Sequence, residues 1–508
     1  MMFIINPANC YYNPDSYRDC CTASGSDGSL TASFGTSGMH IWGVVSNSVC
    51  SSSAKKKTQN WPAIFNTHDK RIFAVILAMC CFFSSHSQTS FKFDFGGGKP
   101  QRGYLQVTEK TTYTPEQGFG FESSYNLVSQ NFEKKTKPED DFITSIKPFY
   151  FSVKLPDGNY NVKLILGDKF GTSLTTVKAE CRRLMVESIE TKKGKFATVE
   201  FTVHVKDSII RPLETKVKLK SREISYLHWD NKLTLEFNNI APKICAVEIE
   251  KVDNIPSVFL AGNSTVVDQA EEPWAAWGQI IPAFFQPKKI AVANYAESGE
   301  TLKAFKGERR LEKIWSLAKA GDYLFIEFAH NDQKAGGNHL DPFTTYKQTL
   351  KEWIAEARKR QMIPVLVTSM NRRSFDSTGH ITNTLGDYPE AMRQTGKEEN
   401  VAVIDLNAMS KILYETWGPE QSIKAFVHFP ANTFPNQKQE LKDNTHFTTY
   451  GAYELAKCIT IGIKEQVPSL AKYLKKDLTS FDPAHPDAFE NFQIPASSFI
   501  ATTKPDGN

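Results

Sequence analysis

The amino-acid sequence predicts two domains of different fold class, an all-β domain followed by an α/β domain with a parallel sheet. A chain of 508 residues is longer than one hydrophobic core usually organises. Short runs of alternating apolar and polar residues fill the stretch 91–252, which favours a β-sandwich of jelly-roll type. From Pro256 onward, strand-like runs alternate with helical patterns, which favours a doubly wound sheet.

Composition excludes several classes of protein. With 40% hydrophobic residues, 23% charged residues and a net charge of +4, the chain is globular and has no field strong enough to suggest nucleic-acid binding. The nine cysteines include only Cys181, Cys245 and Cys458 beyond residue 81, and no Cys-x-x-Cys spacing occurs. The sequence therefore predicts neither a disulfide framework nor structural zinc in the two domains.

The N-terminal stretch resembles a processing signal rather than part of a fold. Lys70 and Arg71 precede an apolar run, residues 72–83, that is too short to span a bilayer, which needs about 20 residues. We interpret residues 70–88 as a signal peptide and residues 1–69 as a non-native or disordered extension. The alternative is a buried apolar helix or strand. The signal predicts a secreted protein, periplasmic or extracellular in a bacterium, with no stable membrane insertion after cleavage.

A lipid anchor is disfavoured, because Met79 stands before Cys80 where a lipobox has a small residue.

The all-β domain is predicted over residues 89–252. Its alternating runs are Phe91–Phe95, Phe149–Leu155, Tyr160–Leu166, Ala197–Val203, Lys232–Phe237 and Ala246–Glu250. Turn residues such as Pro156-Asp-Gly-Asn separate them. The glycine-rich stretch Gly96–Pro100 lacks the spacing of a phosphate-binding loop, so we interpret it as a turn.

The α/β domain is predicted over residues 253–475, with a C-terminal tail over 476–508. Its strand-like runs are Ser257–Ala261, Ile290–Ala293, Tyr323–Phe328, Ile363–Thr368 and Val401–Asp405. Apolar residues at spacings of three and four predict helices over 343–357 and 449–465. In parallel sheets of this kind, sites form in the loops beyond the carboxyl ends of the strands.

Five residues follow these strands. Ser264, Gly299 and Asn331 follow the first three, and Asp443 and His446 follow the fifth and open the last helix. Each has an ordinary explanation when taken alone: a turn, a nominal glycosylation sequon at Asn263-Ser-Thr, a glycine with positive φ, or a helix cap. Together they map to one rim of one sheet.

The same five residues supply the parts that acyl transfer needs. Serine is a weak nucleophile at neutral pH and requires a base, for which His446 is suited. The carboxylate of Asp443 can fix the imidazole tautomer. The backbone N–H groups of Ser264 and Gly299, with the amide of Asn331, can stabilise the oxyanion of the tetrahedral intermediate.

On these motifs the sequence resembles the SGNH (GDS-type) hydrolases and, within them, the rhamnogalacturonan acetylesterase-like group. The resemblance covers roughly residues 256–466 and implies a flavodoxin-like three-layer α/β/α domain, preceded by a galactose-binding-like β-domain. The matching blocks are Gly262-Asn-Ser264, Gly299, His330-Asn-Asp332 and Asp443-x-x-His446. They imply Ser264 as nucleophile, Asp443 and His446 as its triad partners, and Gly299 and Asn331 as oxyanion donors.

Two positions depart from the family pattern. Asn263 stands where an acid is common, and Ala329 stands where glycine is usual. We expect Asn263 to hydrogen-bond locally, and a methyl group at 329 to affect the fit of substrate. The triad is intact.

The resemblance implies hydrolysis of acetyl esters on plant cell-wall pectin, with rhamnogalacturonan as the expected substrate, through an acetyl-enzyme and without metal or organic cofactor. Pectin is anionic, so Arg372 and Arg373 are candidates to pair with its uronate carboxylates; an ordinary solvated loop is the alternative. Two other functions stay open: an acetyl xylan or other carbohydrate esterase, and a non-catalytic carbohydrate-binding protein. The Asp443/His446 pair argues against the second.

Overall fold

A computed structural model describes residues 90–123, 126–131 and 137–505 of the chain. The predicted extension over 1–69 and the predicted signal peptide over 70–88 lie outside the described residues, as do the last three residues of the predicted tail. Across the residues that are described, no helix combines the length and the apolar character needed to cross a membrane.

The first part of the described chain is all β. Its strands are β1 Ser90–Phe95, β2 Leu105–Val107, β3 Phe119–Phe121, β4 Val128–Gln130, β5 Phe142–Thr144, β6 Phe149–Lys154, β7 Gly158–Asp168, β8 Ser173–Ala179, β9 Arg183–Thr191, β10 Lys195–Val205, β11 Ile209–Ile210, β12 Thr215–Lys216, β13 Lys232–Asn238 and β14 Lys243–Lys251. All six predicted strands are present, which confirms the all-β prediction.

Two sheets face each other in this part. One has the order β10-β7-β14-β1-β2, with β5 and then β4 added beside β14, and the other has the order β3-β6-β13-β8-β9. In each strand, every second side chain points inward, between the two sheets. The inward side chains form one buried core, which includes Phe93, Phe151, Leu164, Leu235 and Val247. Pairing is antiparallel except between β1 and β2.

The second part is α/β. Its strands are β15 Ser257–Gly262, β16 Ala291–Asn294, β17 Tyr323–Glu327, β18 Ile363–Val367, β19 Ala402–Ile404, β20 Phe426–Phe429 and β21 Leu441–Phe447. Its α-helices are α1 Trp277–Ile280, α2 Leu302–Gly307, α3 Arg310–Leu317, α4 Lys347–Lys359, α5 Tyr388–Glu399, α6 Leu406–Gln421, α7 Thr449–Gln466 and α8 Pro468–Ala471.

Five of these strands form a parallel sheet in the order β16-β15-β17-β18-β19, which is the doubly wound order 2-1-3-4-5. Val258 and Leu260 on β15 enter the core on the side of α1, α6 and α7. Phe259 and Ala261 enter the core on the side of α2 to α5. The sheet is therefore buried on both faces, and the three-layer prediction is confirmed.

Asp443 and His446 lie in a different element from the one predicted. They belong to strand β21, which pairs with β20 in an antiparallel hairpin; helix α7 begins only after Thr448, whose hydroxyl caps it. The expectation that these residues open the last helix is wrong, because the carboxylate of Asp443 binds the N–H groups of Thr445 and His446 within the strand instead of a helical turn.

The C-terminal segment returns to the β-sandwich after α8. The carbonyl of Pro495 and the hydroxyl of Ser497 accept hydrogen bonds from Lys178 of β8, both at 2.7 Å. Farther along, the carbonyl of Phe499 accepts from the N–H of Glu272, and Lys504 reaches 3.7 Å from a carboxylate oxygen of Asp443. The segment therefore contacts both parts of the protein and ends at the carboxyl edge of the parallel sheet.

Candidate active site

Ser264 lies in a tight turn directly after β15. The carbonyl of Asn263 accepts hydrogen bonds from the N–H groups of Val266 and Val267, both at 3.0 Å. The side-chain oxygen of Asn263 accepts from the N–H of Thr265 at 3.0 Å and from its hydroxyl at 2.8 Å. Asn263 thus stabilises the turn through local hydrogen bonds, as the sequence predicts.

Burial separates the two interpretations of this turn. Asn263 is fully buried, so its amide is inaccessible for glycosylation in the folded protein. Ser264 is also buried, and its Oγ makes no hydrogen bond to any residue that the structure describes. Hydrogen bonds to a catalytic hydroxyl often form only when substrate binds.

Gly299 and Asn331 lie on two loops that contact each other, after β16 and β17 respectively. Gly299 has a φ of +83°, a conformation that favours glycine. The amide nitrogen of Asn331 donates to the carbonyl of Glu300 at 3.0 Å, which holds the side chain against the Gly299 loop. The N–H of Glu297 in turn donates to the carbonyl of Gly262, at the end of the strand that leads to Ser264. The predicted oxyanion donors therefore lie on adjoining loops.

Asp443 and His446 form a direct pair. Nδ1 of His446 lies 2.7 Å from Oδ2 of Asp443, and both side chains are buried. Burial alone would raise the pKa of Asp443, but the hydrogen bond and charge of His446 and the N–H of Thr445 hold it well below its usual range. Trp274 adds a longer contact, with its Nε1 3.4 Å from Oδ2. The carboxylate is thus ionised and oriented toward the imidazole.

The Ser264 and His446 segments are joined through the backbone. The loop that starts at Ser264 ends at Ala275, whose N–H donates to the carbonyl of Phe447 at 2.8 Å. Gln269, midway along this loop, donates from its amide to the carbonyl of Ser264 at 2.9 Å. The loop after Ser264 and the strand that carries the Asp443–His446 pair are therefore joined by backbone hydrogen bonds.

A buried acid lies behind the turn that carries Ser264. One carboxyl oxygen of Glu327, at the end of β17, lies 2.9 Å from the hydroxyl oxygen of Thr265, and the other accepts from Nε1 of Trp277 at 2.6 Å. Complete burial raises the pKa of Glu327 to about 7, against the opposing effect of these hydrogen bonds. Trp274 and Trp277 are both buried.

The two predicted substrate-binding arginines have different surroundings. The guanidinium of Arg372 donates to the carbonyls of His330 and Thr384, at 3.3 and 3.2 Å, and burial lowers its pKa. Arg373 instead contacts the chain next to Asp443: its N–H donates to the carbonyl of Asn444, and its guanidinium donates to the hydroxyl of Ser422 and the carbonyl of Pro419 at the end of α6. Arg372 therefore lies next to His330, beside the candidate site, whereas Arg373 stabilises the segment that carries Asp443 and His446.

His330, which precedes Asn331 in the sequence, is buried. Burial lowers the pKa of His330 well below its usual range, and the charges of Arg372 and His446 lower it further, so His330 is a neutral neighbour of the Asp443–His446 pair.

The methyl group of Ala329 packs in the core between the sheet and α2 to α5. The departure from glycine at this position is accommodated there.

Cations from the β-sandwich contact the loops that follow β15 and β16. Arg183 pairs with Asp268 at 2.6 Å, and Arg182 donates to the carbonyl of Gln269. Lys206 donates to the carbonyl of Asn294 at 2.6 Å, and burial lowers its pKa to about 8. Sequence reasoning missed these residues, since nothing in a β-rich stretch distinguishes them from ordinary surface cations. The only available signal was the adjacent pair Arg182-Arg183.

One group of side chains among the described residues has the spacing of a metal site. Potential ligand atoms of Glu223, His228 and Glu297 lie within 4.8 Å of one another. Both carboxylates are already paired with guanidinium groups, Glu223 with Arg310 at 2.5 Å and Glu297 with Arg222 at 2.7 Å. These positive charges disfavour a cation, so the group acts as a buried ion-pair network.

Comparison with known proteins gives matches to both parts of the chain. Residues 260–452 match the GDSL-like lipase/acylhydrolase family, and residues 91–222 match the β-agarase/YXIM esterase-like, galactose-binding domain-like family. Among curated proteins, the chain is 46% identical to rhamnogalacturonan acetylesterase RhgT of Bacillus subtilis over 41% of this chain and 89% of that protein. It is 36% identical to probable rhamnogalacturonan acetylesterase YesY of the same organism, over 41% of this chain and 92% of that protein.

Among solved structures, the chain matches the crystal structure of protein YxiM of Bacillus subtilis with 23% identity and a TM-score of 0.39. That match covers 74% of this chain and 98% of the solved one.

Proposed function

Since this chain belongs to the family of GDSL-like lipases and acylhydrolases and is an esterase with a galactose-binding-like domain, we propose that it removes acetyl groups from a plant cell-wall polysaccharide. The substrate that we propose is pectic rhamnogalacturonan. The buried Asp443–His446 pair, at 2.7 Å in a strand that is hydrogen-bonded to the loop after Ser264, is the observation that carries the proposal. The names of the two Bacillus subtilis relatives support the choice of polysaccharide.

The proposed reaction has two halves. Ser264 Oγ attacks the acetyl carbonyl while His446 takes its proton, and the sugar hydroxyl leaves with that proton. Water then attacks the acetyl-enzyme by the same route and releases acetate. With Nδ1 of His446 held by Asp443, Nε2 is the ring nitrogen that exchanges the proton. The oxyanion of each tetrahedral intermediate is stabilised by the N–H groups of Ser264 and Gly299 and by the amide of Asn331.

The charges around the site fit an anionic chain. Burial lowers the pKa of Lys334, and the nearby positive charges of Arg372 and Lys504 lower it further. These three cations therefore lie near one another. Lys504 also lies 3.7 Å from Asp443. A uronate carboxylate next to the acetylated sugar would meet this positive potential. A neutral xylan would gain nothing from it, which favours pectin over xylan.

Substitution of the nucleophile tests the proposal. Ser264→Ala should abolish acetate release from acetylated rhamnogalacturonan and from p-nitrophenyl acetate while the fold remains intact. Ser369→Ala is a matched control, because Ser369 is also a buried serine just after a strand of the same sheet, β18. Acetate release should then be compared on acetylated rhamnogalacturonan, homogalacturonan and xylan. A clear preference for xylan would overturn the pectin proposal, and activity in Ser264→Ala would overturn the nucleophile.

Export is a separate proposal. The basic and apolar pattern over residues 70–88 supports a secreted enzyme that meets its polysaccharide outside the cytoplasm. Sequencing the N-terminus of protein recovered from the culture medium or periplasm tests this, and we expect it near Gln88. An N-terminus well before Lys70 would contradict it.

A further inference from the structure

The carbonyl of Ser298 accepts hydrogen bonds from two cationic side chains of the β-sandwich. Nη2 of Arg222 lies 3.0 Å from this oxygen, and Nζ of Lys220 also donates to it. This carbonyl and the N–H of Gly299 belong to the same peptide unit. Because a peptide unit is planar and trans, fixing the direction of its carbonyl also fixes the direction of its N–H.

We propose that Lys220 and Arg222 are positioning residues for the oxyanion hole, which hold and polarise the Ser298–Gly299 peptide so that its N–H faces the reacting carbonyl. The β-sandwich then contributes to catalysis through its charges, in addition to any contact with sugar. The inference rests on the proposed function, in which Gly299 is an oxyanion donor. It concerns groups that touch neither the substrate nor the nucleophile.

The segment that carries the two cations is fixed to the hydrolase domain. Lys220 and Arg222 flank the start of a 3-10 turn over Ser221–Ser225. Glu223 in this turn is fully buried and forms two hydrogen bonds with the guanidinium of Arg310 on α3, at 3.0 and 2.5 Å. The turn therefore presents both cations from a rigid base.

Flanking carboxylates hold each cation on the peptide. Arg222 pairs with Glu297 at 2.7 Å, and Lys220 pairs with Glu300 at 2.5 Å. Glu297 also accepts a hydrogen bond from the N–H of Ser298 at 2.9 Å. Ser298 is thus held at both its N–H and its carbonyl, which belong to the two consecutive peptide units before Gly299.

Charged donors give the arrangement its catalytic effect. Hydrogen bonds from cations are roughly twice as strong as neutral ones. A hydrogen bond accepted by a peptide carbonyl polarises the N–H of the same unit, which makes it a better donor by roughly 10–30%. The N–H of Gly299 is therefore preorganised for negative charge, and its alignment costs nothing when the oxyanion forms.

The test is steady-state kinetics on p-nitrophenyl acetate, a neutral ester too small to contact the β-sandwich. Lys220→Met and Arg222→Met should each lower kcat about tenfold, and the double variant about 10²–10³-fold, the loss expected for one oxyanion donor. KM should change by less than about threefold, because ground-state binding does not use the oxyanion hole. Lys220→Arg and Arg222→Lys should restore most of kcat, since they keep a cationic donor.

Arg309→Met is the matched control. Arg309 is a cation at the same domain interface, 29% exposed against 28% for Arg222, and it donates to the hydroxyl of Thr215 at 2.7 Å without contacting the catalytic loops. Its kcat should equal that of the wild type. If the double Met variant fails to fold, Lys220→Gln with Arg222→Gln keeps neutral donors at both positions and should give an intermediate kcat.

A simple charge-compensation role predicts a different pattern. If the cations only neutralise Glu297 and Glu300, then Glu297→Gln with Glu300→Gln should restore kcat in the double Met variant. We expect no restoration, because the Ser298 carbonyl would still lack its donors. Restoration, or a normal kcat in a folded double Met variant, would overturn the inference. Activity in Ser264→Ala would instead overturn the proposed function, so the two failures are distinguishable.

Discussion

Arg183 of the β-sandwich forms a buried ion pair with Asp268, four residues beyond Ser264, at 2.6 Å. The second carboxylate oxygen of Asp268 accepts from the amide of Asn294, at the start of the loop that leads to Gly299. The same pair therefore connects the sandwich to the two loops that carry Ser264 and Gly299.

Arg183→Met should destabilise the protein by about 3–5 kcal/mol, because it leaves Asp268 buried without its counter-charge. The midpoint of urea unfolding measures this, and kcat should fall with it. Arg211→Met is the control, since Arg211 pairs with Asp207 at 2.5 Å but is 48% exposed. A pair that exposed contributes at most about 1 kcal/mol. Equal stabilities for the two variants would contradict a structural role for Arg183.

Asp443→Asn should lower kcat by about 10⁴-fold with little change in KM, because an amide can no longer hold the catalytic tautomer of His446. Hydrolysis of p-nitrophenyl acetate measures it. Asp482→Asn is matched in spacing, since Asp482 and His485 form a pair at 2.8 Å three residues apart, but both are exposed. That control should keep full activity; a similar loss in both variants would show that the Asp443 effect is not specific.

Asn331→Ala should lower kcat by about 10²–10³-fold, the effect of losing one oxyanion donor. The expected signature is an unchanged KM for the small ester. Asn383→Ala serves for comparison, because the amide of Asn383 also donates to a backbone carbonyl, that of Gly386 at 2.9 Å, but on an exposed loop. An active Asn331→Ala variant would remove Asn331 from the oxyanion hole.

Glu327 should make stability fall as pH rises. Its pKa is about 7 in the folded protein against 4.5 ordinarily, so between these values the folded state holds a proton that the unfolded state has lost. Its contribution is complete below about pH 4.5 and decreases as pH rises through 7, by up to about 3 kcal/mol. Glu327→Gln should remove this part of the pH dependence, as measured by unfolding from pH 5 to 8.5. A parallel pH dependence in both proteins would refute the assignment.

The cations near the site should matter only for a charged substrate. Arg372→Gln and Lys504→Gln should raise KM for acetylated rhamnogalacturonan severalfold more than KM for p-nitrophenyl acetate. Added salt should weaken binding of the polysaccharide by wild type in the same way, because ions screen exposed charges. Equal effects on both substrates would indicate that these side chains support the site structurally rather than bind uronate.

The sequence predicts the parallel sheet well because its strands are buried on both faces and form continuous apolar runs, as at Tyr323–Glu327. It predicts the strands of the sandwich where alternation is clear, but it misses β8 and β9, where buried polar residues such as Thr175 and Arg183 break the pattern. Arg183 is buried because it pairs with Asp268 across the domain interface, which is a tertiary contact that sequence periodicity does not reveal.

The candidate site shows the same limit. Ser264, Gly299 and Asn331 could be placed because each directly follows a strand whose end is visible in the sequence. The hairpin that holds Asp443 was missed, because the loop over residues 430–440 that joins its strand to β20 is much longer than a recognisable hairpin turn. Lys220 and Arg222 could not be identified from the sequence, because their proposed role depends on contact with a carbonyl about 75 residues further along the chain.

The ion pairs between the two domains also limit how this architecture can be recombined. Three acids of the hydrolase domain each pair with one cation of the β-sandwich: Asp268 with Arg183, Glu297 with Arg222, and Glu300 with Lys220. A chimera that joined this hydrolase domain to the sandwich of another protein would inherit the acids without their partners. The two domains are therefore expected to be inherited and engineered as one module, with exchanges tolerated only where the cations are transferred as well.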